Sequence, residues 1–217
     1  MKLSEKTIAV LKEFSSINPA ILISAGNEIK TISPTKTIIA KTTVDDTFPK
    51  DIALHNLSKF LGVVSLMNNP DFIFADDHIK VTDESNYEVR MTYAALDTIV
   101  VAPKKDLVLP SVDSEFTLKA DIVNKIHRAA SVLQVPEIVI TGRSGRVIVS
   151  AEDVANKASD TFKLDIGTCD SDFKVIIKVE NLKIIPLDYE VMATSKGLAH
   201  FVNAEREYWI ATEVRKS

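Results

Sequence analysis

The first residue that suggests chemistry is Ser144, set in Gly142-Arg143-Ser144-Gly145-Arg146. A serine between glycines and arginines invites two readings, a nucleophile at a sharp turn or a phosphate cradle of backbone N–H groups. The spacing fits neither: a nucleophile elbow needs Gly-x-Ser-x-Gly, and a phosphate loop ends in Gly-Lys-Ser/Thr. The segment reads as a hairpin turn. His55, His78, His127 and His200 are scattered, with no His-Glu-x-x-His and no cysteine pair near them. No metal site and no cofactor are expected. Asp45-Asp46 and Asp76-Asp77 are adjacent carboxylates between strand-like runs, where turn chemistry explains them better than general acid–base work. Cys169, beside Asp170, has no evident activating cation. Asn56-Leu57-Ser58 spells a glycosylation triplet, but it falls in a helical stretch of a chain expected in the cytoplasm. Tyr208 and Trp209 fall in the last strand-like run and read as core or sheet surface. No residue is assigned a catalytic role, and the chain is expected not to be an enzyme.

Composition narrows the class. The chain has 217 residues, 46% hydrophobic and 26% charged, enough for one large domain or two small ones. No run of about 18 apolar residues would span a membrane, and Met1 to Lys6 is not followed by the apolar core of a secretory signal. A single cysteine forms no internal disulfide, which fits a reducing cytoplasm. The net charge of −4 argues, taken whole, against a nucleic-acid binder.

The elements that would carry any site are arranged twice. Leu3, Thr7, Val10, Leu11, Phe14 and Ile17 form a helical stripe stopped by Pro19. A hairpin around Gly26-Asn27, strands over 37–44 and 51–54, a helix over 55–69 and three strands over 72–92 follow. After a proline-framed stretch the order returns. A helix over 119–134 stops at Pro136, and strands flank the 142–146 turn. Two more strands precede a short helix over 180–185 that ends at Pro186, and three strands close the chain. This predicts an α+β protein of two similar domains, 1–94 and 114–217, joined by an extended connector over 95–113.

Charge is distributed unevenly over that plan. The four expected helical segments, 2–18, 55–69, 119–134 and 178–186, sum to +5, so the remainder of a −4 chain sums to −9. Lys125 and Arg128 stand three apart, on one helix face. If the apolar stripes pack on the sheets, these cations face outward together, which a merely solvated helix face would also show.

Several stretches carry a family resemblance: Met1-Lys2-Leu3-Ser4, Val10-Leu11-Lys12-Glu13-Phe14, Leu57-Ser58-Lys59-Phe60-Leu61-Gly62-Val63-Val64-Ser65-Leu66, and Thr98-Ile99-Val100-Val101-Ala102-Pro103. Their order resembles the sliding clamps of T-even-type bacteriophages, DNA polymerase processivity factors similar in fold to the eukaryotic clamp PCNA. The resemblance implies a closed homotrimeric ring with helices lining a hole and antiparallel sheets outside. Such a ring encircles duplex DNA without sequence preference, tethers the replicative polymerase and is loaded by an ATP-driven clamp loader. In some members it also supports late viral transcription. A basic bore suits a duplex with one charge per about 1.7 Å of axis.

On that resemblance Lys12 matches an inner-helix lysine. Lys59, Lys119, Lys125, Arg128, Lys178 and Lys183 are assigned to the DNA side by helix and charge. The connector implies a partner-peptide pocket with Leu107, Val108, Leu109 and Val101 as wall. The subunit joint implies strand edges carrying Tyr87, Val89 and Met91 on one side and Phe162, Leu164 and Ile166 on the other. It also implies host-cell cytoplasm and no membrane. Two alternatives remain open from the residues alone: a two-domain interaction scaffold without a DNA role, and a small hydrolase using Ser144 or an aspartate pair.

Overall fold

The structure is a computed structural model that describes residues 1–85 and 87–214. Asn86, in the turn expected at 83–86, and Arg215, Lys216 and Ser217, at the end of the expected 114–217 domain, lie outside the described residues. The chain divides into two compact units, Met1–Lys104 and Lys105–Ser217. The division falls inside the stretch read as a connector.

In the first unit, helix α1 (Glu5–Ser15) begins where the Ser4 hydroxyl accepts the Thr7 N–H, and it buries Thr7, Val10, Leu11 and Phe14. Asn18 ends it in a buried knot. Its side-chain amide donates to the Ile32 carbonyl at 2.8 Å, and its side-chain oxygen accepts the Ala20 N–H at 2.9 Å. Strands β1 (Ile21–Ile23), β2 (Gly26–Ile32), β3 (Ile38–Phe48) and β4 (Ile52–Leu54) follow. The hairpin expected around Gly26-Asn27 does not form. β1 pairs with β4 and β2 with β3, because the turn chemistry sits at Pro34-Thr35-Lys36, where Lys36 has φ 59°. Helix α2 (Leu57–Ser65), capped by Asn56, packs on α1 and buries Leu57, Phe60 and Val64. Strands β5 (Asp71–Phe74), β6 (His78–Thr82) and β7 (Glu88–Thr92) make an antiparallel meander with β7 free at one edge.

β3 runs further than expected and absorbs Asp45-Asp46, which are therefore not a turn. Asp46 instead accepts from the Ser4 N–H at 2.8 Å, the Ser4 hydroxyl at 2.7 Å and the Thr7 hydroxyl at 2.5 Å. Burial pushes its pKa up, but these donors outweigh burial and hold the carboxyl below its ordinary value.

The second unit opens with β8 (Ser114–Leu118) and helix α3 (Ala120–Leu133), which buries Val123, Ile126 and Ala130 and ends at Gln134 in the left-handed conformation, φ 52°. α3 packs on β9 (Glu137–Arg143), β10 (Arg146–Glu152) and β11 (Phe162–Thr168). With β12 (Phe173–Lys178) these form an antiparallel sheet in the order β11-β10-β9-β12, so β11 is an edge. β8 pairs with β13 (Tyr189–Thr194), which continues through β14 (Leu198–Val202) to β15 (Glu207–Ala211).

The short helix expected over 180–185 is absent. One 3₁₀ turn, Val179–Asn181, stands there instead. Leu182 and Ile184 are buried two residues apart, the spacing of extended chain, and β-branched Ile184 and Ile185 disfavour helix before Pro186. The architecture is α+β with antiparallel sheets. Among the described residues no helix is long and apolar enough to cross a membrane.

Candidate nucleic-acid and partner interfaces

The helices present their unburied faces to solvent. On α1 the exposed stripe is Glu5, Ala9 and Lys12. On α2 it includes Ser58, Lys59, Gly62 and Ser65, and on α3 Asp121, Lys125, Arg128 and Val132. Lys12, Lys59 and Arg128 are exposed and meet no carboxylate within ion-pair range among the described residues. Around Lys59 the neighbours are small and uncharged, so a rigid rod could approach the backbone closely.

The other assigned cations are placed differently. Lys125 pairs with Asp121 at 2.9 Å, one turn back on the same helix. Lys119 precedes α3 and pairs with Asp188 at 2.8 Å, while Asp188 also accepts the Ala120 N–H at 2.9 Å. Asp188 thus serves as a cap supplied from a distant segment, because Lys119 has no side-chain acceptor of its own. The Lys119 hydrogen bond, then that from Ala120, holds the Asp188 carboxyl below its ordinary pKa, and Asp188 raises that of Lys119. Lys178 ends β12 rather than lying on a helix and stands 3.5 Å from Glu213. Lys183 lies in the extended segment after the 3₁₀ turn, also off any helix. The helices as bounded hold Lys6, Lys12, Lys59, Lys125 and Arg128 against Glu5, Glu13 and Asp121, five cations to three acids, or +2 rather than the expected +5.

The connector residues are exposed. Val108 is 86% exposed, Leu107 40% and Val101 37%, and Leu109 is half-buried. Val101 lines a cavity of about 230 Å³ with Leu22, Ala102 and Pro103. A larger cavity, about 500 Å³, was not foreseen from the sequence. Phe173, Val175 and Ile176 line it from β12, with Asp113, the Thr194-Ser195 turn and Thr212 to Val214. Its walls come from four distant segments, and no local pattern links them.

Asp113 latches the chain to that cavity's rim. Its carboxylate accepts the Ser195 N–H at 2.6 Å and the Thr194 hydroxyl at 3.3 Å, and its own N–H donates to the Ala193 carbonyl at 2.9 Å. Hydrogen bonds from the Ser195 side chain and backbone pull its pKa down to about 2. A depressed carboxyl favours the folded form above the unfolded pKa of about 3.9, and that contribution disappears as pH falls toward 2. Protease nicking at Leu107–Pro110 is expected to stay slow at pH 5 and to accelerate between pH 4 and pH 2. Asp113→Ala should nick fast already at pH 5. Equal nicking of both forms at pH 5 would refute the latch.

Both expected joint strands are sheet edges. Val89 and Met91 on β7, and Phe162, Leu164 and Ile166 on β11, are half-buried, and Tyr87, just before β7, is 64% exposed. Ser144 sits in the β9–β10 turn with φ 52°, its N–H donating to Asp172 at 3.2 Å. Among the described residues no group of three or more His, Cys, Asp or Glu is placed to hold a metal.

A family model described as DNA polymerase processivity factor matches residues 2–101, and one described as gp45 sliding clamp, C terminal, matches residues 115–214. The chain is 32% identical to the sliding clamp of Vibrio phage KVP40, covering 98% of this chain and 99% of that protein. The chain belongs to the sliding-clamp family. The sliding clamp of Enterobacteria phage T4 is 30% identical over 98% of this chain and 97% of its own length. Among solved structures, the proliferating cellular nuclear antigen of Entamoeba histolytica superposes with a TM-score of 0.69 at 14% identity, covering 95% of this chain and 94% of that one. A PCNA2–PCNA3 complex from Sulfolobus tokodaii gives 0.67 at 13%, with 96% of each chain covered. At such identities the likeness establishes the clamp fold alone. The α+β reading agrees with it, and the chain is a sliding clamp of the processivity-factor kind.

Proposed function

We propose that three copies of this clamp close around duplex DNA, with α1, α2 and α3 facing the phosphates. In this reading the ring tethers the replicative polymerase in the cytoplasm of an infected host cell. An ATP-driven loader opens it, and the clamp performs no chemistry of its own. The observation that carries the reading is the set of exposed, unneutralised cations on helix faces, Lys12, Lys59 and Arg128, in a chain of net charge −4. Weak phosphate attraction without base contacts permits sliding, and the acidic remainder discourages binding outside the ring. Lys125 contributes after releasing Asp121. Lys119, engaged with Asp188, and Lys178 and Lys183, off the helices, are secondary. The partner peptide would dock beside Val101 and Leu107 to Leu109. The chain's domains would be 1–94 and 114–217, with 95–113 between them, and the edges at β7 and β11 would join neighbouring copies.

The test reverses three charges together: Lys12→Glu, Lys59→Glu and Arg128→Glu. Polymerase product length on primed template at physiological salt should fall at least tenfold, with the melting temperature unchanged. The salt slope of DNA retention should flatten by about 0.9 for each phosphate that the variant no longer neutralises. Wild-type processivity in the triple variant would remove these helices from the DNA side.

A further inference from the structure

The two free edges carry charges as well as apolar residues. On β7, the pairs Ile79↔Met91 and Val81↔Val89 place Val89 and Met91 on the buried face, leaving Glu88 and Arg90 on the other. On β11, Ala151↔Phe162 and Val149↔Leu164 define the buried face, and Ser150↔Lys163 and Ile148↔Asp165 the outer one. The register slips between Val147 and Ile148, so the regular edge of β11 ends at Asp165-Ile166.

An added strand keeps apolar on apolar only when it shifts by two residues at a time. The described ladders within each unit are antiparallel, and purely antiparallel sheets are favoured over mixed ones. Three antiparallel alignments are then within reach. One sets Glu88 against Asp165 and Arg90 against Lys163, two like-charge pairs directly opposite, which destabilise. A second sets Glu88 against Lys163 but places Met91 against Asp160. The third sets Val89 against Ile166, Met91 against Leu164 and Tyr93 against Phe162, with Arg90 against Asp165.

We propose that a second copy of this chain adds its β11 edge to β7 in that third alignment, and that the pair between Arg90 and the second copy's Asp165 selects it. The proposal rests on the edge-to-edge joint above and goes further, fixing the register and the charges that enforce it. Each member already has a counter-charge in its own chain: Arg90 is 2.7 Å from Asp77, and Asp165 is bonded to Arg146. Joining the copies produces the alternating row Asp77, Arg90, Asp165, Arg146, which satisfies four charges without stranding one. The occupant is another copy rather than a foreign strand, because the alternation of apolar and charged positions along β11 matches that along β7 in this alignment.

Cross-linking tests it in a Cys169→Ser background. A disulfide needs Cα atoms about 4.4–6.8 Å apart, and a two-residue slip moves them by about 6.6 Å. Thr92→Cys with Lys163→Cys should link copies covalently under mild oxidation. Arg90→Cys with Lys163→Cys, and Glu88→Cys with Lys163→Cys, should give less than a tenth as much. Asp165→Lys should raise the dissociation concentration of the assembly at least tenfold. Dominant linking of the Arg90 or Glu88 pair would overturn the register while leaving the joint standing; the Glu88 pair would report the second antiparallel alignment or a parallel one. No linking by any pair, with oligomer mass intact, would overturn register and joint alike, since copies would then meet elsewhere. A monomeric mass for the unsubstituted chain would overturn both as well.

Discussion

Replacing Phe14 with alanine lowers unfolding stability by about 3–5 kcal/mol, the range for deleting a fully buried aromatic side chain. Phe14 is 0% exposed, as are Val10 and Leu11, so the deletion opens a cavity inside a fully buried stripe. The same stripe fixes where Lys12 points, since the helix has no other buried anchor than Thr7. The loss should therefore appear twice, as an earlier denaturation midpoint at fixed protein concentration and as weaker DNA retention. Phe14→Leu, nearer in volume, should lose less than about 1.5 kcal/mol. A Phe14→Ala midpoint within experimental error of wild type would show that α1 is held by something other than this core.

Gly142→Val has the second large effect. A side chain at Gly142 would overlap the Phe173 ring, and Cys169 Sγ would stand 3.0 Å from its Cβ. Phe173 cannot simply swing aside, because its ring stacks on Phe116 at 5.6 Å with 9° between planes. Overpacking of this kind typically destabilises by about 1–3 kcal/mol. It also displaces one wall of the 500 Å³ cavity that Phe173 lines. Guanidinium unfolding would read the first effect, and the emission of an environment-sensitive dye on a cysteine at Ser195 the second. Pairing with Phe173→Ala should relieve most of the stability loss, as expected for two contacting residues. If the double variant is as unstable as the sum of the singles, the clash is not the cause.

The periodic parts of the fold were legible. α1 and α3 announce themselves by apolar stripes with proline beyond each, and the α+β class follows from their alternation with strand runs. The short segment before Pro186 defeated the same reasoning. Six residues bearing a lysine and a glutamate fit a helix turn, yet Leu182 and Ile184 bury at extended spacing. Asp46 was misjudged, and Asp188 passed over, for another reason. Both cap helices whose first turns lie far off in sequence, at Ser4 and at Ala120, and long-range caps leave no local mark. Of the seven cations assigned to the DNA side, Lys12, Lys59 and Arg128 stand clear of carboxylates and on helices. Charge counting could not see that Lys119 has an acidic companion, because only folding brings the distant Asp188 within 3 Å, whereas Asp121 stands four residues before Lys125 on the same helix and was legible from spacing.

The two exposed strand borders are unlike in residue order, and only one is interrupted by a bulge. In the proposed joint, each border therefore meets the other kind and not its own twin. A head-to-tail contact has two destinies: a rotation that returns to its start, or an open helical polymer. A substitution that tilts this contact by a few degrees, without weakening it, would therefore yield fibres rather than scattered single chains.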